Sequence, residues 1–317
     1  MKYYLAPMEG VTGYIFRRTQ HEFFPSADKY FTPFINPHTT RNLNSKEKKE
    51  ILPENNPGMY TVPQILTNKA EDFIRVAKVL KEFGYDEVNW NLGCPSGTVV
   101  SKKKGAGFLE FPTLIDQFLD EVFTALDMKV SVKTRLGMFE ADEFDQLLAV
   151  YNKYPLHELI IHPRVRTDYY KGKVDLDSFE RALLYSKNPV CYNGDIFTVS
   201  DYEMWKKRFP QVESVMIGRG MVANPCLIGM IRDGEKLEKE KFRAFHDQLL
   251  NEYCDLKIGD RNVLFKMKEL WHYFICMFED TKKLEKQIKK AQNIETYKNA
   301  VNLLFAQRDI VDGRGYF

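Results

Sequence analysis

Up to about residue 232 the chain alternates short apolar runs with amphipathic stretches, and this rhythm restricts its possible folds more than any other feature. Runs of strand length fall at 3–8, 30–34, 62–66, 87–92, 130–134, 159–162, 190–193 and 215–218. Helical periodicity fills the intervals. Residues 68–83 open with the capping pattern Asn68-x-x-Glu71 and carry Phe73, Ile74, Ala77 and Leu80 on one face. Residues 111–126 place Pro112 near the start and Leu114, Phe118, Val122 and Leu126 at helical spacing. Residues 144–154, 179–185 and 200–209 continue the rhythm. Eight strand–helix units in roughly 230 residues is the count and size of a closed (β/α)8 TIM barrel. A doubly wound open sheet is the alternative. Glycines gather just after strands, at Gly10, Gly93, Gly137, Gly194 and Gly220, the end where barrels carry active sites.

After Gly234 the character changes to charge-rich helical patterns without strand signals. Phe242, Phe245, Leu249 and Tyr253 form one stripe; Leu264, Met267, Trp271, Phe274 and Phe278 a second; Ile294, Tyr297, Val301 and Leu304 a third. Such stripes predict the core of a small helical bundle. The expected division is therefore a barrel over 1–234 and a helical domain over 235–317. Basic residues number 46 and acidic residues 44, so a nucleic-acid face needs local clustering. Residues 282–290, with five lysines and one glutamate, are such a cluster, readable as a solvated helix face or as a phosphate-contacting patch. The five cysteines are scattered, without CxxC spacing, which speaks against a disulfide framework or a zinc site and fits a reducing cytoplasm. The apolar start is too short for a signal peptide, and no run approaches the ~18 residues of a membrane span. The expectation is a cytoplasmic monomer with no metal.

Six pieces at strand ends can be read together. Pro7, Met8, Glu9 and Gly10 make a tight turn after the first strand, suited to close approach of a flat ligand. Gln64, a polar amide amid apolar strand residues, needs partners, which a flavin edge or neighbouring backbone could supply. Cys94 stands between Gly93 and Pro95 and precedes a basic, glycine-rich loop, 102–107. A lone cysteine is often a small buried hydrophobe; at a strand end a thiol of ordinary pKa near ~8.5 is also a proton source at neutral pH. Ser131 and Lys133 alternate with Val130 and Val132 and so share one face, and in a barrel one of the two faces is inward; a lysine there needs a partner, and the negative pyrimidine end of a reduced flavin is one. His162 closes an apolar strand, as a core histidine or, with Arg164 and Arg166 beyond it, as a ligand contact. Asn193, Gly194 and Asp195, with Gly218, Arg219 and Gly220, follow the last two strands, where barrels often bind phosphate.

With these pieces in place the chain resembles the tRNA-dihydrouridine synthases over residues 3 to about 225, with the helical tail in the expected place. The most specific signature is Gly93-Cys94-Pro95 followed by Lys104-Gly105-Ala106-Gly107. Ala6-Pro7-Met8, Gln64, Val132-Lys133-Thr134-Arg135-Leu136-Gly137, Asn193-Gly194-Asp195 and Gly218-Arg219-Gly220 add to it. The resemblance implies an FMN-binding barrel with a helical tRNA-binding domain. It implies FMN contacts by Pro7, Met8, Glu9, Gln64, Lys133, His162, Asn193, Gly194, Asp195, Gly218 and Arg219. It further implies Cys94 as proton donor and Asn91 as a holder of the target uracil, with Arg164 and Arg166 on the substrate side. One segment departs from the family's His-Gly-Arg-Thr-Arg, reading His162-Pro163-Arg164-Val165-Arg166.

The reaction so implied is reduction of a tRNA uridine to 5,6-dihydrouridine. NADPH reduces the FMN, hydride passes to one ring carbon, and Cys94 protonates its neighbour. A target base must leave its stack to react, which favours a loop uridine. No Rossmann glycine fingerprint is present, so NADPH is expected as a transient visitor. The rival reading is an FMN barrel oxidoreductase for a free pyrimidine such as dihydroorotate, which needs neither the tail nor the basic loop.

Overall fold

The computed structural model describes residues 1–38 and 43–316. Its strands are β1 (Lys2–Leu5), β2 (Lys29–Phe31), β3 (Thr61–Val62), β4 (Gln64–Ile65), β5 (Glu87–Leu92), β6 (Lys129–Gly137), β7 (Glu158–Val165), β8 (Val190–Asn193) and β9 (Ser214–Ile217). They lie in the order β3-β2-β1-β9-β8-β7-β6-β5-β4. The two ends of that order, β3 and β4, are one stretch of chain interrupted at Pro63, which has no N–H to donate. β3 pairs with β2 and β4 with β5, so residues 61–65 close the ring. Nine short strands thus occupy the eight positions of a parallel (β/α)8 barrel, each at a position that the apolar runs mark.

The chain divides into two compact units. The first comprises Met1–Pro7, Asp28–Gly194 and Phe209–Met216; the second comprises Met8–Ala27, Asp195–Arg208 and Ile217–Phe317.

In the first unit, side chains alternate between the barrel interior and the helices, as the period of two in a strand requires. On β5, Trp90 points outward and stacks on Phe118 at 3.7 Å, with Phe73 and Phe108 edge-on. This sandwich holds the helices Ala70–Glu82 and Pro112–Ala125 on the sheet. All six residues of β5 are buried, as expected for a strand covered on both faces. Inside, Tyr4, Ala6, Phe31, Val62, Ile160, Cys191 and Met216 form an apolar layer. Near the N-terminal end of the strands Lys29 Nζ meets the buried Glu87 at 2.7 Å. Glu158 accepts from the Tyr4 hydroxyl at 3.0 Å and from Ser214 Oγ at 2.7 Å.

Two local expectations are corrected. The helix expected from 68 begins at Ala70, and Asn68 does not cap it; its amide instead donates to Lys102 O at 3.3 Å. Asn68 is drawn away by the loop that follows β5. On the helix Pro112–Ala125, Leu114 is 44% exposed, and Ile115, Phe118, Leu119 and Val122 form the buried face. Trp90 lies under that face, so the stripe centres on Phe118.

The second unit is helical. Lys239–Asp255, Asp260–Phe274 and Ile294–Gln307 bury the stripes read from the sequence: Phe242, Phe245, Trp271, Phe274, Tyr297 and Val301 are all in its core. The helix Tyr14–Phe23 belongs here too; Phe16, Phe23 and Phe24 surround Phe245 with centroids 5.7–6.0 Å away. Tyr297 ties the core together. Its hydroxyl accepts from Trp271 Nε1 at 2.7 Å and lies 2.7 Å from His246 Nε2, while His246 Nδ1 faces Asp247 at 2.8 Å. Among the described residues no helix is long and apolar enough to cross a membrane.

Candidate active site

Polar residues in the first unit gather inside the barrel along β4, β5 and β6, because these strands put amides and a serine where an ordinary barrel has aliphatics. Register makes them neighbours: Gln64 pairs with Asn89, Asn89 with Ser131, and Asn91 with Lys133. The result is one directed chain of hydrogen bonds. Ser131 Oγ donates to Glu87 at 2.9 Å, and Asn89 Nδ2 donates to Ser131 Oγ at 3.0 Å. Gln64 Nε2 donates to Asn89 Oδ1 at 2.8 Å, and Asn91 Nδ2 to Gln64 Oε1 at 2.7 Å. Asn91 Oδ1 in turn accepts from the N–H groups of Gly93 and Cys94, at 3.1 and 3.0 Å. Every donor in the series points toward the Glu87 carboxylate, so each bond polarises the next. The chain answers what Gln64 binds: two asparagine side chains rather than backbone.

Cys94 sits at the end of this series, half-buried, and among the described residues none of the five cysteines is in a disulfide. Three contacts fix its backbone. Asn91 holds its N–H, Arg135 Nε donates to Gly93 O at 2.9 Å, and Ala106 N donates to Cys94 O at 3.0 Å. The last contact requires Gly105, whose φ of +55° suits glycine and whose Cβ, if present, would lie 2.9 Å from Cys94 O. The basic loop therefore packs on the Cys94 turn. Lys104 is tied by a 2.8 Å bond to Asn36, and Lys102 and Lys103 are exposed.

Lys133 follows two residues after Ser131, on the same face of β6. Among the described residues its ammonium has neither hydrogen bond nor ion pair. Burial first, and the positive charge of Arg135 second, pull its pKa down to about 7. A half-buried cation without a carboxylate is unfavourable and is suited to an anionic ligand. Farther along, Arg135 is buried and donates to three backbone carbonyls: Gly93, Val165 at 2.9 Å and Tyr169 at 2.7 Å. His162 is its register partner on β7. His162 Nε2 lies 3.0 Å from Arg164 Nη1; a guanidinium only donates, so Nε2 accepts and the imidazole proton is on Nδ1. Arg164 is buried beneath the loop, with further bonds to Lys171 O and Gly172 O. Arg166 is half-buried. Asn193 donates to Met216 O at 2.9 Å, and Gly194 lies against the Tyr192 hydroxyl, where a Cβ has no room. Pro7 is half-buried.

In the second unit, Met8 N donates to Thr12 Oγ1 at 2.8 Å and Met8 O accepts from Val11 and Thr12, which shapes the turn; Gly10 takes φ +82° and Glu9 is exposed. Asp195 and Arg219 pair at 2.6 Å, with the guanidinium 5.0 Å above the Phe197 ring. Gly218 precedes the short helix Arg219–Ala223.

Sequence reading placed Cys94, Gln64, Asn91, Lys133 and His162 at strand ends, and the structure brings them to one end of the barrel. It did not single out Asn89, Glu87 or Arg135. The signal for the first two was present: Glu87, Asn89 and Asn91 recur every second residue in one six-residue strand.

The family model described as "Dihydrouridine synthase (Dus)" matches residues 4–310. The chain is 25% identical to "tRNA-dihydrouridine synthase B" of Pasteurella multocida over 273 residues, covering 86% of this chain and 78% of that one. It is 27% identical to "Probable tRNA-dihydrouridine synthase" of Staphylococcus aureus (strain COL) over 318 residues, covering 96% and 93%. Among solved structures, morphinone reductase superposes with a TM-score of 0.53 at 14% identity over 76% of this chain and 88% of that one, a likeness of fold.

Proposed function

The chain belongs to the dihydrouridine synthase family, and from that premise we propose how its own residues reduce a tRNA uridine to 5,6-dihydrouridine with FMN and NADPH. The observation that carries the reading is Lys133, an interior ammonium with no carboxylate partner among the described residues and a pKa lowered to about 7, on the strand beside the Asn91–Cys94 turn. These residues fit a flavin. Lys133 gives a cation for a ring that gains negative charge on reduction, and His162 presents an Nδ1–H donor. Pro7, Gln64, Asn193 and Gly194 belong to the same reading, as do Met8, Glu9, Asp195, Gly218 and Arg219 of the second unit. Bound FMN supplies the hydride, with NADPH as its reductant.

Cys94 supplies the proton. The turn bonded to Asn91, Arg135 and Ala106 keeps the thiol at one place, so proton transfer does not wait on a loop to order. Asn91 Oδ1 shapes the turn, and in this reading Asn91 also helps to hold the uracil. Arg166 is taken to face the tRNA, and Arg164 holds His162 and the loop from beneath. The reading takes the chain as a cytoplasmic monomer whose helices beyond residue 235 bind tRNA, with Lys282, Lys283, Lys286, Lys289 and Lys290 on phosphates.

The test is direct. Purified protein should carry about one FMN per chain, and with NADPH it should convert a defined uridine in unmodified tRNA, located by nucleoside analysis. Preference for FAD, or turnover of free pyrimidines but not of tRNA, would refute the reading.

A further inference from the structure

We propose that Tyr169 is a stacking platform for an unpaired nucleobase of the RNA, beside the base that reacts; this rests on the reading that the substrate is tRNA. The loop after β7 is fixed from below. Arg135 donates to the carbonyls of Val165 and Tyr169, Arg164 to those of Lys171 and Gly172, and Asp168 accepts from Val165 N at 3.0 Å. On this rigid base Tyr169 takes φ 53° and ψ −100°, a conformation that non-glycine residues rarely adopt. Strain of this kind persists where the surroundings impose it and collects at ligand sites. Here Tyr169 O accepts from Arg135 at 2.7 Å and Tyr169 N donates to Arg166 O at 3.1 Å.

The strain presents a ring to solvent. Tyr169 is 42% exposed. The Arg166 guanidinium lies 4.9 Å from its centroid and donates to its hydroxyl at 3.0 Å. Tyr170 is exposed as well, but it is engaged below, 6.2 Å from the His162 ring and 5.3 Å from the Arg135 guanidinium. Among the described residues no other aromatic ring lies against Tyr169.

Charge selects the occupant. At the surface of residues 164–173 three cations, Arg166, Lys171 and Lys173, accompany one carboxylate, Asp168, with Arg164 buried beneath them. Arg166 Nε is buried and among the described residues has no hydrogen-bond partner, a donor that a phosphate oxygen would satisfy. An aromatic face among cations matches a base flanked by its phosphates.

The experiment uses FMN-loaded protein and an unmodified tRNA transcript. Tyr169→Ala should raise KM for tRNA by about ten- to a hundredfold, the range of one missing base stack, while flavin reduction by NADPH keeps its rate. Tyr169→Phe, which keeps the ring, should stay near wild type. In Tyr169→Trp the new indole should be quenched by tRNA, against a background of Trp90, Trp205 and Trp271, all buried. An Ala variant with unchanged KM, a Phe variant as impaired as Ala, or an indole untouched by saturating tRNA would overturn the platform. So would quenching by polyphosphate as strong as by tRNA, since that assigns the loop to phosphate alone. If wild-type protein leaves tRNA unreduced, the tRNA reading itself fails, and the two failures are told apart by that control.

Discussion

Replacing Cys94 by alanine should separate the two halves of the catalytic cycle. Its flavin should still bind and still be reduced by NADPH. Reoxidation of that flavin by unmodified tRNA should slow by about 10²–10⁴-fold, the usual contribution of a general acid. Stopped-flow absorbance reads both steps, and a Cys94→Ala protein that reduces uridine at the wild-type rate would remove the thiol from the mechanism. Cys191 is a poor substitute, since burial raises its pKa well above the ordinary thiol value. Lys133 makes a prediction about pH. Its folded pKa of about 7 lies below the ordinary lysine value, so the ammonium is charged below pH 7 and neutral above it. An anionic ligand favours the charged form, so FMN affinity should be highest below pH 7 and decline above it. In the protein without ligand the sign reverses. The unfolded chain holds the extra proton between about 7 and 10.4, so this residue adds stability as pH rises through that window. Both dependences should be absent from Lys133→Met, with titration calorimetry and pH-resolved unfolding as the measurements.

At the scale of elements, the hydrogen-bond series across β4, β5 and β6 is the feature most open to test. Ser131→Ala removes the member that joins the amides to Glu87. Asn89 Nδ2 and one oxygen of Glu87 would then be buried without that partner, at a cost of about 1–3 kcal/mol. Denaturant unfolding should show the midpoint falling with the slope unchanged, since the exposed area is the same. Slower alkylation kinetics are not expected at Cys94 if the Asn91 turn stands on its own; a changed rate would show that the series reaches the thiol. The alternation of β6 was legible in the sequence, and with it that Ser131 and Lys133 share one face. The partners were not. Arg135 binds carbonyls of residues 93, 165 and 169, which are brought together only by the curvature of the ring. The Asn68 cap failed for a related reason: its amide found a competing carbonyl at Lys102, on a loop far along the chain.

At the scale of the molecule, Lys282–Lys290 carries five exposed lysines over a buried Leu284 and Ile288. Neutralising Lys282, Lys283, Lys286 and Lys290 should weaken tRNA binding evenly across sequences. It should also flatten the salt dependence, by about 0.7–0.9 in log–log slope for each phosphate that is no longer neutralised. An unchanged slope would make this a solvated face. Lys289 is held back from the test because Glu285 already pairs with it. Sequence was enough for the eight strand positions, the thiol at the end of the fourth, the face shared by Ser131 and Lys133 and the apolar stripes of the helical unit. All of these follow from local periodicity and turn chemistry, which act within a few residues. Which polar groups meet was settled only in three dimensions: that Gln64 binds asparagines, that Arg135 clamps the Cys94 turn, that Lys133 is left without a carboxylate, and that Tyr14–Phe23 joins the helical unit. Parallel strands are neighbours only across a helix of intervening chain, so register and burial, which set every hydrogen bond and pKa in the site, do not exist until the ring closes.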